Sequence, residues 1–356
     1  MKALKLNKTT RRNYLTYLLV LLAYVILQAL GSAGAISSSL KGMLVPICAY
    51  IVMAISLNLT VGVLGELSLG HAGFMSMGAF TGVTAAIALQ DAIPAAPLRM
   101  AIALVVGAAF AALAGFLIGI PVLRLNGDYL AIVTLAFGEI IKELINCLIV
   151  GHDSEGLHIV FNYNGSKSVE DLHLLEDGIV IVKGAQGTAN VTTIASFTAG
   201  FILIMITLVI VLNLVNSRSG RAIMAIRDNR IAAESVGINV TKYKLMAFVT
   251  SSALAGAAGA LYGLNYSSMQ ATKFDFNTSI LVLVYVVLGG LGNIWGSIIA
   301  ATVLYVLPEA LREFADYRML VYAIVLILVM LATNSPAVKN VLIKIIPHRK
   351  GEEDNG

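Results

Sequence analysis

The stretch RSGRAIMAIRDNRIAAESVGINVTKYK, residues 218–244, decides how this chain is arranged. It is the most basic internal segment, and long apolar runs lie on both sides of it. The chain is 58% hydrophobic and 12% charged, whereas soluble domains average about 25% charged residues. Its mean hydropathy is +0.87. Such a chain has too little polar surface for a water-soluble globule, so the composition predicts a polytopic membrane protein.

Ten apolar segments flank the basic stretch, and most approach the ~20 residues that a spanning helix needs. Six precede it, at residues 14–30, 43–57, 67–89, 98–123, 129–150 and 193–215. Four follow it, at residues 245–264, 278–289, 294–307 and 319–333. The sequence therefore predicts an all-α, polytopic transmembrane helical bundle of ten segments. The alternative is eight, if the short pieces at 278–289 and 294–307 form one re-entrant hairpin.

The distribution of Lys and Arg predicts the side of the membrane on which each connection lies. The N-terminal tail, residues 1–13, is basic, and the basic stretch follows six crossings later. Both therefore fall in the cytoplasm, and so does the basic tail at 335–356, with the membrane domain at 14–334 between the tails. The loop at 151–192 falls outside, and it is mostly acidic: Asp153, Glu155, Glu170, Asp171, Glu176 and Asp177 against Lys167 and Lys183.

Within the basic stretch, residues 222–236 fit one amphipathic helix. Its narrow stripe of mostly small residues consists of Ala222, Ala225, Ile226, Asn229, Ala232, Ala233 and Val236. Gly237 follows as a helix-terminating residue. Two interpretations stay open on physical grounds: a helix lying on anionic lipid, or a coupling helix that enters a cleft of a soluble partner. The small stripe favours the second.

Several blocks resemble a known family. IAAESVGIN, residues 231–239, resembles the EAA loop of ABC importer permeases, with two alanines, an acidic residue and a following glycine. The blocks that resemble LivM-type permeases are NLTVGVLGELSLGHAGFMSMGAF (58–80), LRLNGDYLAIVTLAFGEII (123–141), GRAIMAIRDNRIAAESVGINVTKYKLMAFVTSSALAGAAGALYG (220–263) and VVLGGLGNIWGSIIAA (286–301). The chain is identified as a member of the LivM-type permease subunits of branched-chain amino acid ABC importers.

The resemblance implies that the cytoplasmic loop at 216–244 docks on an ATPase subunit. The implied ATPase-coupling residues are Arg227, Asn229, Ala232, Ala233, Glu234 and Gly237. It also implies a second homologous permease subunit in a heterodimer, two ABC ATPase subunits that bind ATP and magnesium, and an extracytoplasmic substrate-binding protein. The location is a bacterial or archaeal cytoplasmic membrane. No nucleic acid, metal or cofactor is expected in this chain, and it has no Walker loop of its own.

The implied substrates are leucine, isoleucine and valine, with urea or short amides as the alternative. Two regions depart from the family's pattern: the external loop at 151–192 and the stretch ATNSPAVKN at 332–340. A different class, an autonomous secondary transporter, predicts paired carboxylates near the midplane of the membrane. An integral membrane enzyme predicts a cluster of His, Asp or Cys, and no catalytic motif is present.

The candidate translocation path lies in GELSLGH, residues 65–71. Ionisable groups at membrane depth are costly and face protein or a water-filled path. The path candidates are Glu66, Ser68, Gly70 and His71. The glycines predict backbone that is either broken or tightly packed, and for His71 itself we favour a structural role, as a cap or a cross-link of neighbouring helices.

Two further patterns concern packing and charge. Ser252, Gly256 and Ala260 recur every four residues, as do Ala255, Gly259 and Gly263, which predicts close helix packing through small residues. Glu139, Lys142 and Glu143 share one face of the fifth segment, at its outer end. We interpret that cluster as a helix-end charge group, with the rim of the path as the alternative.

Overall fold

The computed structural model of this chain describes residues 8–34, 37–125, 127–162, 165, 167–175, 178–189, 191–311, 320, 323, 324 and 327. The chain divides into a large unit, Met1–Thr302, and a smaller one, Val303–Gly356. The predicted tail at 335–356 lies outside the described residues, as do residues 1–7 and most of the predicted segment at 319–333.

The described part of the chain is built mainly from α-helices. They are α1 (Lys8–Ser32), α2 (Ser38–Asn58), α3 (His71–Ala88), α4 (Ala96–Val122), α5 (Asp128–Asn146), α6 (Phe197–Asn216), α7 (Arg218–Asp228), α8 (Arg230–Ser235), α9 (Val240–Gly263), α10 (Phe276–Gly289) and α11 (Ile294–Ala310). All except α7 and α8 correspond to predicted apolar segments.

Five helical stretches among the described residues are long and apolar enough to cross a membrane. They are Asn13–Ser32, Ser38–Leu64, Ala96–Val122, Phe197–Asn216 and Val240–Gly263. The helices α10 and α11 are shorter, with 14 and 17 residues. The prediction of a membrane helical bundle is therefore confirmed, while the number of crossings, ten or eight, stays a prediction.

The core of the large unit forms where α3, α4 and α9 cross. Gly78 lies so close to α9 that a Cβ atom on it would stand 2.0 Å from the carbonyl oxygen of Gly256. A Cβ on Gly259 would stand 1.9 Å from the carbonyl oxygen of Met75. The close packing predicted from the small residues of α9 is thus confirmed, and it joins these helices backbone to backbone.

The segment after α5 departs from the all-α prediction. It forms a three-stranded antiparallel sheet of β1 (Leu148–Asp153), β2 (Gly156–Phe161) and β3 (Ile179–Lys183), in the order β2-β1-β3. The predicted fifth segment, 129–150, therefore ends too late, because its last residues belong to β1. An unbroken apolar run does not distinguish the end of a helix from the start of a strand.

One carboxylate fixes the fold of this sheet. Asp153 accepts hydrogen bonds from the backbone nitrogens of Glu155 and Gly156 and from Nε2 of His158. Its other oxygen accepts from the backbone nitrogen of Leu175, 3.2 Å away. Loss of surrounding water raises the pKa of Asp153, but these hydrogen bonds outweigh it and hold that pKa below its ordinary value of 3.8.

The link between α2 and α3 is the irregular part of the bundle. A six-residue π-helical turn, Leu59–Leu64, continues α2, and Gly65 ends it with a left-handed φ of +81°. The chain then runs without regular structure to Gly70. Within α2, the hydroxyl of Ser251 donates to the carbonyl of Ser56, and a side chain inserted into the backbone ladder distorts a helix locally. The broken backbone, one of the two alternatives predicted for GELSLGH, is confirmed.

The helix α9 connects two distinct ends of the large unit. Its first turn packs beside α7 and α8. Beyond its last turn, Leu264 accepts a hydrogen bond from Ala195, and Met269 bridges to Thr188 next to the sheet. Its 24 residues separate these ends by about 36 Å at 1.5 Å per residue. We call them the connector end and the sheet end.

Candidate functional site

The connector, α7 and α8 together, does not form the single helix predicted over 222–236. The chain breaks at Asn229, whose backbone is extended at φ −157° and ψ 105°. Its side-chain oxygen accepts from the backbone nitrogen of Ala232, 3.0 Å away, and so caps α8. Asparagine favours this position because its side chain competes with the helical backbone for hydrogen bonds.

The break divides the predicted stripe of small residues. Ile226 and Ala233 turn inward and form a small core with Val240 of α9, and Ala233 is only 3% exposed. Ala233 therefore anchors the connector rather than presenting its side chain to a partner. Gly237 takes a φ of +84° and donates its backbone nitrogen to Glu234, so it terminates α8 as predicted.

Two apolar side chains, one in α8 and one just after it, are unusually exposed. Ile231 is 80% exposed and Val236 is 75% exposed. The ion pair of Arg230 with Glu234, 3.1 Å between Nε and Oε1, lies on the same short helix. The predicted stripe of small residues did not include Ile231, although the sequence shows a bulky apolar residue among charged ones at this position. This exposed face is suited to contact with an apolar surface of another protein.

Arg227 joins the connector to the irregular link. Its Nη1 donates to the carbonyl oxygen of Gly62, 3.1 Å away. Asp228 holds the same guanidinium through Nε and Nη2, at 3.1 and 3.0 Å. The stem of Arg227 packs so tightly on Gly65 that a Cβ there would lie 2.5 Å from Cγ of Arg227. The predicted coupling residue therefore contacts the break directly.

A second cation reaches the same link from α9. Lys244 forms an ion pair and hydrogen bond with Glu66, and their side chains are 3% and 13% exposed. A nearly buried pair of this kind fixes both partners, since either charge alone would be poorly solvated. Glu66, predicted to line the path, is thus engaged by Lys244 in this structure.

The other path candidates lie inside the protein. His71 is 2% exposed, and its Nε2 lies 2.8 Å from Oγ of Ser56, so it cross-links α3 to α2 as we favoured. Gly70 lies against the carbonyl of Thr134 in α5. The hydroxyl of Ser68 is buried without a hydrogen-bond partner among the described residues.

The start of the π-helical turn is also held by residues at the junction of α10 and α11. Asn58 donates its side-chain nitrogen to Oγ of Ser297 at 2.9 Å and accepts from the backbone nitrogen of Gly292 at 2.8 Å. Gly292 lies in the turn between α10 and α11, and Ser297 lies in the first turn of α11. The link is therefore clamped before it begins by Asn58 and along its length by Arg227 and Lys244.

A second cluster of polar side chains lies between α3, α5 and α10. A small pocket there is lined by Gly73, Gly138, Glu139, Asp275 and Ser279, among others. Glu139 is paired with Lys142, as the shared helix face predicted. Asp275 accepts from the backbone nitrogen of Thr278 and caps α10. These acidic groups already have structural partners.

The length and composition of the described helices are those of an integral membrane protein. The family described as "Branched-chain amino acid transport system / permease component" matches residues 39–330. The chain belongs to this family. No solved structure matches the chain.

Three relatives illustrate the range of this similarity. The "High-affinity branched-chain amino acid transport system permease protein LivM" is 35% identical in Salmonella typhimurium and 34% in Escherichia coli. Each match covers 292 residues, which is 79% of this chain and 66% of the relative. The "Fructose import permease protein FruG" of Bifidobacterium longum is 27% identical over 252 residues, 67% of each chain. The chain thus spans slightly less than two thirds of the LivM relatives.

Proposed function

We propose that this chain is a membrane subunit of an ATP-driven importer and that branched-chain amino acids are its substrates. The family match over residues 39–330 carries the proposal, and the LivM relatives support the substrate class. The chain pairs with a second homologous permease subunit. Two separate ATPase subunits bind ATP with magnesium, and a substrate-binding protein delivers the amino acid.

The connector is the docking surface for an ATPase subunit. Its support is the contrast between the inward side chains of Ile226 and Ala233 and the exposed side chains of Ile231, in α8, and Val236, directly after it. An apolar pair with charges around it suits a groove on a soluble protein better than lipid headgroups alone, because a lipid-facing helix usually presents a broad bulky stripe. In this arrangement the connector and both chain termini lie in the cytoplasm.

Reconstitution tests this function. The chain, its sister permease and the two ATPases are placed in proteoliposomes with the binding protein and radiolabelled leucine. We expect uptake that requires ATP, the ATPases and the binding protein together. Uptake by the permeases alone would establish a secondary transporter instead.

A substrate panel tests the cargo separately. Leucine, isoleucine and valine are compared with urea, acetamide and fructose in the same vesicles. The fructose permease relative makes the sugar a necessary member of the panel. ATP-dependent uptake of urea or fructose without leucine would retain the importer and reject the amino acid assignment.

A further inference from the structure

Two neighbouring residues of the irregular link are tied to two different parts of the protein. The carbonyl of Gly62 and the backbone of Gly65 are engaged by Arg227 of α7. Glu66, the next residue along the chain, is engaged by Lys244 of α9. The side-chain attachment therefore changes from the connector to α9 between residues 65 and 66, whose backbone nitrogens both donate to the carbonyl of Thr60.

These two attachments differ in how firmly their helices are held. The helix α9 packs backbone to backbone against α3 and α4, through contacts such as Gly256 with Gly78. The helix α7 buries only Gly220, Ile223 and Ile226 along its length. An interior packed as closely as α9 resists displacement, whereas a helix held by one narrow face can tilt.

Gly65, at the junction of the two attachments, has the backbone freedom that a rotation requires. Gly65 has a φ of +81°, and its backbone nitrogen closes the π-helical turn on the carbonyl of Thr60. A residue without a Cβ crosses between the left- and right-handed regions at little cost. Single π-helical turns, which interrupt the regular ladder, occur frequently at functional sites.

A buried polar group beyond the glycine is unsatisfied in this conformation. The hydroxyl of Ser68 has no hydrogen-bond partner among the described residues. Buried polar groups normally have one. Among the described residues, the link is therefore not held by a hydrogen bond of the Ser68 side chain, in contrast to the ion pair of Glu66.

We propose that Gly65 is a hinge between two anchors, Arg227 on the connector and Lys244 on α9, and that displacement of the connector by an ATPase subunit bends the chain there. Arg227 and Lys244 are positioning residues, because they act on the link and not on the substrate. The inference rests on the proposed ATPase docking at α7 and α8. It adds that Gly65 is the residue at which movement of the connector is transmitted to the membrane-spanning helices.

The first test removes the Arg227 anchor from the assembled transporter. Arg227→Met keeps an apolar stem on Gly65 and deletes the guanidinium. We expect the ATPases to remain bound and to hydrolyse ATP, while leucine taken up per ATP falls about tenfold, as for loss of one charge-assisted hydrogen bond. Arg124→Met is the control, because Arg124 is an exposed arginine that follows α4 and lies outside the connector, and its uptake per ATP should equal that of the wild type.

The second test concerns the Lys244 anchor. Glu66→Lys and Lys244→Glu each place like charges together, and each should lower uptake per ATP. The double variant restores an opposite pair in reverse order, so we expect it to recover most of the coupling. Glu66→Gln should lower coupling as well; if it raised uptake, the pair would be a latch that must open, and the anchor would be refuted.

The third test stiffens the hinge itself. Gly65→Ala forces a left-handed backbone onto an alanine, and it is made together with Arg227→Ala because its Cβ would otherwise lie 2.5 Å from Cγ of Arg227. The double variant should lower uptake per ATP below that of Arg227→Ala alone, with the ATPases still bound. Gly34→Ala is the control, because Gly34 has a similar φ of +73° and open space around it. If the double variant does not assemble, Gly65→Asn replaces Gly65→Ala in it, since asparagine tolerates a positive φ.

The outcomes separate the two proposals. If wild-type vesicles take up leucine without ATPases, the proposed function fails and the hinge with it. If uptake is ATP-dependent but Arg227→Met keeps the wild-type ratio of leucine to ATP and the assembled Gly65 variant keeps that of Arg227→Ala, only the hinge fails. A drop in that ratio for these two variants, with the Arg124 and Gly34 controls unaffected, supports the hinge.

Discussion

The two ends of α9 are held by different kinds of contact. At the sheet end, backbone groups pair with backbone groups: Thr188 donates to Met269, and Val191 donates to Ser267. At the connector end, side chains make the connections: Val240 packs on Ile226 and Ala233, and Lys244 pairs with Glu66. Backbone pairing fixes a segment in one register, whereas a side-chain contact can follow its partner through several rotamers.

This difference indicates which end can move without loss of the fold. Between the two ends, α9 is locked to α3 and α4 by glycine contacts, so it behaves as one rigid rod. The connector can then tilt against the rod while the sheet end keeps its shape. Four predictions test this comparison, in order of decreasing effect on stability.

The largest effect should come from unpairing the buried charge at the connector end. Lys244→Met leaves Glu66 nearly buried and without its cation, which typically costs about 3–5 kcal/mol. The measurement is unfolding of the purified protein in detergent. In the double variant with Glu66→Gln, the orphan charge is gone and most of the stability should return. A double variant as unstable as Lys244→Met would show that packing, rather than charge, holds this end.

The second largest loss of stability should come from overpacking the contact between α9, the rigid rod, and α3. Gly78→Ala forces a methyl group against the backbone of Gly256, and overpacking of this kind costs about 1–3 kcal/mol. Gly42→Ala is the matched control on α2, because no atom lies within 4 Å of its added Cβ. It should gain about 0.5–1 kcal/mol, as glycine to alanine does inside a helix. Equal melting temperatures for the two variants would contradict a close-packed rod.

The sheet end should be the acid-sensitive one. Because the folded protein lowers the pKa of Asp153, its contribution is complete above the unfolded pKa near 3.8 and is lost as the pH falls through the folded pKa. We expect protease cleavage near the sheet to increase over that range, while α9 stays protected. Asp153→Asn should be cleaved at neutral pH as well. Cleavage of the wild type that does not depend on pH would show that the carboxylate does not hold the sheet.

The smallest effect on stability should come from the exposed face of α8. Ile231→Ser changes a side chain that is 80% exposed, so the free energy of unfolding should move by less than about 0.5 kcal/mol. Retention of the ATPases during purification should nevertheless fall. Ile159→Ser, on an exposed position of β2 at the sheet end, should leave retention unchanged. If both variants retained the ATPases equally, this face would not be the docking surface.

Much of the bundle followed from the sequence because it depends on local pattern. Apolar runs set the helices, and small residues at a spacing of four set the packing of Gly256 and Gly259. The broken segment after α2 followed from its glycines, and the cross-link by His71 from the cost of an isolated polar group at membrane depth. These conclusions need only neighbours along the chain and the chemistry of the bilayer.

Other features were decided by contacts between distant residues. Asn229 breaks the predicted coupling helix, and Ala233 then packs against Val240 instead of facing a partner. The sheet after α5 was hidden within an apolar run, because the period of a short run is ambiguous.

The sequence by itself determined a membrane bundle of permease type, because hydropathy, charge placement and motif order are written along the chain. Only the tertiary structure decided that Arg227 meets Gly62 across 165 positions and that Lys244 meets Glu66 across 178. The physical reason is that such partners are selected by where packed helices bring their ends together. No periodicity along the chain encodes these contacts, although they join the connector and α9 to the break in the bundle.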